Sequence, residues 1–316
     1  MLSHINLLST LTGLLFKLKN VLPPPYYLFL KSYLENRHFA TRVGTETSEL
    51  SPILAGVPQG AILSPILYNI FSADQPTTPN TSVAEFADDK AIFTIHSDPV
   101  TASTYLQNHL NLLSTWYTKW RIKINTSKSS HVTFTLRKGI SPPLTLNNSI
   151  IPIASNARYL GMYLDKRLTW AHHIKIKRLL LNQRRRNLYF LLNKNSKINL
   201  KNKLNLYKML LTPIWSYGIQ IWGTAKPSNL KKIQSFQSTS LRLITGAPYY
   251  VSNHTLHSDL HINTIAKTAS IYYKRFRSRL INHPNPLIRE LNSDTIPGNP
   301  PKRLARRWCR DLANQN

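Results

Sequence analysis

The sequence predicts an α+β fold, with mixed helices and strands first and a basic, all-helical half after them. Short apolar runs bounded by turn residues alternate with helix-period stretches up to about residue 165. From Trp170 onward the apolar residues recur mainly at helical spacing. Charge follows the same direction. Residues 1–110 hold six basic and eight acidic residues, a net of −2, and residues 111–316 hold 35 and five, a net of +30.

Taken in order, Pro23 to Pro25 is a rigid break, and residues 26–37 read as an amphipathic helix. Runs 39–43 and 51–54 flank Gly44 and polar residues, as a β-hairpin would. Ser64-Pro65 reads as an N-cap followed by a first-turn proline, continued by Ile66, Leu67, Ile70 and Phe71 at helical spacing. Runs 83–87 and 90–95 are short and apolar, separated by acids, and again suggest a hairpin. Asp98-Pro99 repeats the cap-plus-proline signal, and Leu106, Leu110, Leu113, Tyr117 and Trp120 form the stripe of the next helix. Residues 122–124, 131–136 and 158–164 read as strands. Helices are expected over about 171–192, 200–222 with a break near Pro213, 227–245 and 263–281. The proline-rich stretch from His283 reads as a loop.

The chain has 41 Lys plus Arg against 13 Asp plus Glu, a formal net charge of +28. Between Asp165 and Asp259 lie 93 residues without a carboxylate and with 17 Lys or Arg, including Arg184, Arg185 and Arg186. So one-sided a surface repels itself unless an anion binds it. Nucleic acid is the first candidate partner, through its phosphates, and an anionic membrane surface the second. No apolar run approaches the roughly 20 residues that span a bilayer. The Leu-rich start, broken by His4 and Asn6, reads as neither signal peptide nor anchor, so a nuclear or cytoplasmic protein is expected rather than a secreted one. The single cysteine, Cys309, excludes a disulfide scaffold and a zinc site of paired thiolates.

Two elements could carry chemistry. Asp88-Asp89 sits between apolar segments, and a hairpin turn there would project two carboxylates toward a hard divalent cation such as Mg²⁺. The same dipeptide also fits a plain solvated turn. Gly56-Val57-Pro58-Gln59-Gly60-Ala61-Ile62-Leu63-Ser64-Pro65 is a fixed loop leading into a helix, which lets backbone approach a ligand, or simply connects a strand to a helix. His254, His257 and His261 have helical spacing but no accompanying cysteine, and His172-His173 reads as a surface pair. Trp116, Trp120, Trp215 and Trp222 read as core anchors.

In combination, GVPQGAILSP followed about 20 residues on by Phe86-Ala87-Asp88-Asp89 resembles the palm of reverse transcriptases of non-LTR retrotransposons, the jockey-like group in particular. The similarity continues through Trp116-Tyr117-Thr118-Lys119-Trp120 and Lys123 to Ser129. It extends through the primer-grip-like Tyr159-Leu160-Gly161-Met162-Tyr163-Leu164-Asp165 and the thumb-like Trp215-Ser216-Tyr217-Gly218 and Ile221-Trp222-Gly223. His254 to Ile265 resembles the family's C-terminal tail, and the ordered set covers about residues 20–315.

The resemblance implies a polymerase palm over 1–165 without fingers, a basic α-helical thumb over 166–282 and a loop-rich tail over 283–316. The implied reaction is RNA-directed DNA synthesis with Mg²⁺, or Mn²⁺, as cofactor and with an RNA template, a DNA primer or duplex and dNTPs as partners. Asp88 would be a metal ligand supported by Asp89. Gln59 and Gly60 would lie near the templating base and incoming nucleotide, and Lys128 near the departing pyrophosphate. Leu160 and Gly161 would contact the primer backbone, and Arg184, Arg185 and Arg186 the phosphates. The family's Phe-Asp motif supplies a further metal ligand, aligned near Leu7, yet no Asp or Glu precedes Glu35. A truncated element that begins inside the palm, impaired in catalysis, is therefore expected. A non-catalytic RNA- or DNA-binding remnant is the alternative.

Overall fold

Proline at the first turn starts four of the longer helices, because its missing N–H is one that no helix could satisfy there. These are α2 (Pro24–Leu34), α3 (Ser64–Ser72), α4 (Pro99–Lys119) and α10 (Pro227–Thr245). They belong to a computed structural model that describes residues 5–6, 11–58, 60–137, 139, 141–292 and 309–314. The chain divides into two units. The first comprises residues 1–133 and 138–160, and the second residues 134–137 and 161–316.

In the first unit, β1 (Ile5–Asn6) pairs antiparallel with β8 (Lys123–Ile124), and α1 (Leu11–Val21) follows. Beyond α2, β2 (His38–Phe39) pairs with β5 (Ser51–Pro52), and β3 (Arg42–Val43) with β4 (Glu46–Thr47). The predicted hairpin around Gly44 is there, with Gly44 at φ 65. β6 (Ser82–Phe86) and β7 (Asp89–Phe93) form the second predicted hairpin. A third, β9 (Thr145–Leu146) with β10 (Ser149–Ile150), turns through Asn147 and Asn148 at φ 49 and 58. Leu14, Leu18, Leu34, Leu67, Phe71, Leu110, Leu113 and Tyr117 form the core, so α1, α2, α3 and α4 share one apolar centre.

Two local expectations need correction. Ser64 is not the cap of α3: it lies inside the helix, and its hydroxyl donates back to the Pro58 carbonyl. Residues 131–136 are not a strand; only His131 makes a β-bridge, to Ile153. Asp98, by contrast, caps α4 as expected, accepting from Thr101 N–H at 2.8 Å.

A buried lysine organises the α1–α3–α4 contact. Lys17, 7% exposed, donates to the Phe71 carbonyl at 2.5 Å and to Asp74 at 2.6 Å. Its ammonium also lies 3.8 Å from the centre of the Trp120 ring, a cation–π contact.

β11 (Asn156–Tyr159) closes the first unit, and in the second β12 (Met162–Asp165) leads into α5 (Ala171–Asn187) and the short α6 (Tyr189–Leu192). The Leu160-Gly161 turn precedes β12; with φ 45 and 75 it is the positive-φ pair of a tight two-residue turn. α7 (Leu200–Leu206) passes into a π-helical turn at Tyr207–Leu211 and then α8 (Thr212–Ser216), so the break expected near Pro213 is a widened helix. After α9 (Ile219–Trp222) and α10 come α11 (Asn253–Asp259), α12 (Ile265–Ile281) and α13 (Pro286–Arg289). Trp170, Ile174, Leu181, Tyr207, Trp215, Trp222, Phe236 and Leu312 are among the residues of one core.

Asp165 pins the start of this unit by accepting from the Thr169 and Trp170 N–H groups at 3.0 and 2.8 Å. His173 is not a surface residue as the sequence suggested: it is fully buried against the Trp170 and Trp222 rings. Its Nδ1 accepts from Tyr163 N–H at 3.3 Å, which fixes the proton on Nε2.

Candidate active site

Five residue pairs zip β6 to β7, from Ser82↔Phe93 to Phe86↔Asp89, and leave Ala87 and Asp88 as a two-residue turn. Ala87 sits at φ 50, a conformation usually given to glycine, so the turn is held by its flanking ladder rather than by its own preference. Asp88 is therefore at the hairpin tip and Asp89 one residue on, at the first position of β7, both half-buried.

Alternation places Lys90 on the face opposite Asp89. Lys90 is 1% exposed and pairs across the hairpin with Glu85, their charged groups 3.6 Å apart. Its ammonium lies 5.9 Å from the centre of the Tyr117 ring. Burial holds the Lys90 ammonium below its ordinary pKa, and Glu85 pushes back. Glu85 also accepts from Gln75 at 3.0 Å. The Tyr68 hydroxyl is pushed up by burial first, then by Glu85 and Asp88. Behind the carboxylates thus lies a buried cation with its own counter-charge, which fastens the hairpin from below.

A cavity of about 380 Å³ adjoins this face, lined in part by Gln75, Glu85, Lys90 and His109. His109 is fully buried with Nδ1 2.6 Å from Thr81 Oγ1, and burial, then Lys90, lowers its pKa.

Tyr159 joins the site. Its hydroxyl donates to the Ala84 carbonyl at 3.2 Å, and its pKa is raised by burial, then by Asp89 and Glu85. The first strand of the 159–165 motif is thereby set against the aspartate hairpin. Leu160 follows directly. Gly161 needs its φ of 75, and a Cβ there would lie 3.3 Å from the Tyr217 ring. Gly218, at φ 67, is crowded by Met162, where a Cβ would meet Sδ at 2.6 Å. The tyrosine and glycine of the Trp215–Gly218 motif thus pack on Gly161 and Met162, a contact that neither motif announces by itself.

The 56–65 loop is braced at two carbonyls: Arg37 donates to Gly56 at 2.6 Å and Ser64 to Pro58. Gly60 takes φ 82 with open space where a Cβ would stand. Gln59 lies outside the described residues, as does Leu7. Lys128 closes a 3₁₀ turn just after β8, exposed, with its N–H capped by Asn125 at 3.2 Å.

On α5, Arg184 and Arg186 are exposed. Arg185 is turned onto α10, donating to Thr239 at 2.7 Å with its guanidinium 5.0 Å from the centre of the Phe236 ring, and burial lowers its pKa. Arg178, two turns earlier, does likewise through the Lys232 carbonyl at 2.9 Å. Of the histidines at 254, 257 and 261, His257 is committed to Ile262 O and Gln234, at 2.7 and 2.9 Å.

As metal donors, Asp88 and Asp89 offer hard oxygens of the kind Mg²⁺ takes, one or two carboxylates completed by water and substrate phosphate. Among the described residues no group of three His, Cys, Asp or Glu side chains comes together as a ready-made cation site. The pair fits such an ion in donor chemistry and leaves most of its coordination to other groups.

Residues 10–164 match the family described as reverse transcriptase (RNA-dependent DNA polymerase). The chain is 40% identical over 310 residues to the probable RNA-directed DNA polymerase from transposon X-element of Drosophila melanogaster, covering 96% of this chain and 34% of that protein. It is 40% identical over 307 residues to that of transposon BS, covering 93% and 33%, and 36% identical over 315 residues to that of mobile element jockey, covering 96% and 34%, both also of Drosophila melanogaster.

The chain carries a reverse transcriptase family domain over residues 10–164.

It spans about a third of the length of the curated relatives it matches. No solved structure matches it. The family match ends at 164, beside the boundary between the two units, while the relatives' similarity runs on through the helical half. Among the described residues, no helix is long and apolar enough to cross a membrane.

Proposed function

We propose that the chain is the palm and thumb of a retrotransposon RNA-directed DNA polymerase, with the palm over 1–165, the thumb over 166–282 and a tail over 283–316. The observation that supports this most is the aspartate hairpin: Asp88 at its tip, Asp89 beside it, Tyr159 against it and the Lys90–Glu85 pair beneath.

In this reading the primer 3′-hydroxyl attacks the α-phosphorus of a dNTP, and pyrophosphate leaves. Asp88 holds the divalent ion and Asp89 supports it; bound Mg²⁺ or Mn²⁺ supplies the positive charge that the transferring phosphate needs. Gln59 and Gly60 are assigned to the templating base and incoming nucleotide. Lys128 neutralises or protonates the departing pyrophosphate. Leu160 and Gly161 steady the primer, and Arg184 and Arg186 meet backbone phosphates.

One observation favours a second reading for the chain acting alone. No Asp or Glu precedes Glu35, so the segment aligned with the family's Phe-Asp strand carries no carboxylate. A chain with only the Asp88-Asp89 pair would bind nucleic acid and transfer nucleotides poorly. The test is Mg²⁺-dependent dNTP addition to a primed RNA template by the chain joined to the fingers and Phe-Asp strand of a relative. Extension abolished by Asp88→Asn supports the assignment, and extension indifferent to it overturns the role of Asp88.

A further inference from the structure

The segment between α10 and α11 carries two adjacent tyrosines that the polymerase reading does not use. Val251 N–H bonds to the Pro248 carbonyl at 3.2 Å, so residues 248–251 form a closed turn with Tyr249 and Tyr250 at its apex. The two are 93% and 75% exposed. Turn apices ordinarily take Gly, Asn, Asp or Pro, each for a backbone reason; two large rings there add apolar surface to solvent without helping the turn.

The turn is also held rigidly. Arg242, in the last turn of α10, donates to the Pro248 carbonyl at 2.7 Å, to the Val251 carbonyl, and to Asn253 Oδ1 at 3.0 Å. Gly246 ends α10 at φ 67, and Ser252 caps α11 through Thr255 N–H at 3.0 Å. One guanidinium therefore staples both sides of the apex, and both flanking helices are capped beside it. The rings lie edge to face, 5.7 Å apart at 78°, so the pair presents ring surface in two directions. Other exposed aromatics, such as Tyr189 and Phe190, lie on a helix surface without a clamp of this kind.

Charge selects the occupant. The turn sits inside the 93 residues from 166 to 258 that hold 17 cations and no carboxylate. An aromatic platform in such a field suits an anionic polymer with exposed ring faces. A duplex hides its base faces in the stack, whereas a single strand offers them.

We propose that Tyr249 and Tyr250 are a stacking site for unpaired bases of a single-stranded nucleic acid. The proposal rests on the reading of this half as a nucleic-acid-binding unit, and it adds which strand form is held and by which side chains. The rigid turn spares the ordering cost that mobile rings would meet on binding.

The test is equilibrium binding of the full chain to a labelled unpaired oligonucleotide and to a blunt duplex of the same length, by fluorescence anisotropy across a salt series. Tyr249→Ala with Tyr250→Ala is expected to weaken single-strand binding about tenfold or more, to leave the salt slope unchanged and to spare the duplex. Tyr249→Phe with Tyr250→Phe is expected to retain single-strand affinity, since the ring and not the hydroxyl does the stacking. Alanine variants that bind the single strand as the parent does overturn the stacking site while the nucleic-acid reading stands. Equal losses on single strand and duplex also overturn it. A parent chain that binds neither strand sinks the underlying reading and the proposal with it. Unchanged nucleic-acid binding accompanied by altered sedimentation would assign the pair to a protein contact, again overturning the proposal.

Discussion

Glu85→Gln should destabilise the first unit more than any ordinary surface substitution, because of what it leaves behind. Lys90 is 1% exposed, and the Glu85 carboxylate 3.6 Å away is the charge that compensates it. Removing one partner of a fully buried pair costs about 3–5 kcal/mol, since the other charge stays buried without compensation. The Glu85 side chain is itself 27% exposed, so water already weakens the pair, and about 2–3 kcal/mol is the fitting estimate here. At about 2–4 °C per kcal/mol, that is a loss of roughly 4–12 °C in Tm. Glu85→Gln with Lys90→Met should recover most of the loss, because a methionine fills the same buried space without a charge. Thermal scans of the four proteins in the double-mutant cycle measure the coupling directly. An additive cycle, or a Glu85→Gln Tm within a degree of the parent, would refute the idea that this pair fastens the hairpin.

Further outcomes follow from other residues. His173 is buried neutral, its pKa pulled to about 4 by burial, then by Lys177 and His172. Unfolding exposes it to its ordinary value near 6.5, so its contribution is present above about pH 6.5 and lost as the pH falls toward 4. That loss is about 1.4 kcal/mol per unit over this window. Denaturant midpoints against pH should show the slope, and His173→Gln should flatten it. Replacing Arg184, Arg185 and Arg186 by Ala should lower the log–log salt slope of duplex binding by about two rather than three, because Arg185 is spent on Thr239 and Phe236. Arg185→Ala alone should instead lower Tm and leave the slope nearly intact. Gly218→Ala should cost about 1–2 kcal/mol from its φ of 67, with more from the contact with Met162, read by chemical denaturation.

Much of this is legible in the sequence alone, for identifiable reasons. Asp98-Pro99 and the α4 stripe worked because a cap, a first-turn proline and a periodic apolar face all agree. The aspartate hairpin was legible because two apolar runs bracket a polar pair at hairpin length. The Asn147-Asn148 turn escaped because its strands are only two residues each, although an Asn pair tolerates positive φ well. His173 escaped because its burial comes from Trp170 and Trp222, which are close in space but, in the case of Trp222, far in sequence. In the sequence Lys90 is one more charge after Asp-Asp; only the cross-strand register with Glu85 shows that it lies beneath the site. Arg185 was grouped with its neighbours because helical phase cannot be read from three consecutive arginines without knowing where α10 lies.

The proposed divalent-cation site at the Asp88-Asp89 hairpin offers two carboxylates and leaves the rest of the coordination to other groups. Mn²⁺ titration followed by electron paramagnetic resonance, in the presence of a dNTP, tests it without requiring turnover. Three proteins are compared: the parent, Asp88→Asn, and Leu7→Asp, which puts a carboxylate at the sequence position that aligns near the family's Phe-Asp motif. Weak binding by the parent, loss of that binding in Asp88→Asn, and clearly tighter binding in Leu7→Asp are expected. Binding that is indifferent to Asp88→Asn, or unimproved by the added acid, would contradict the proposed site.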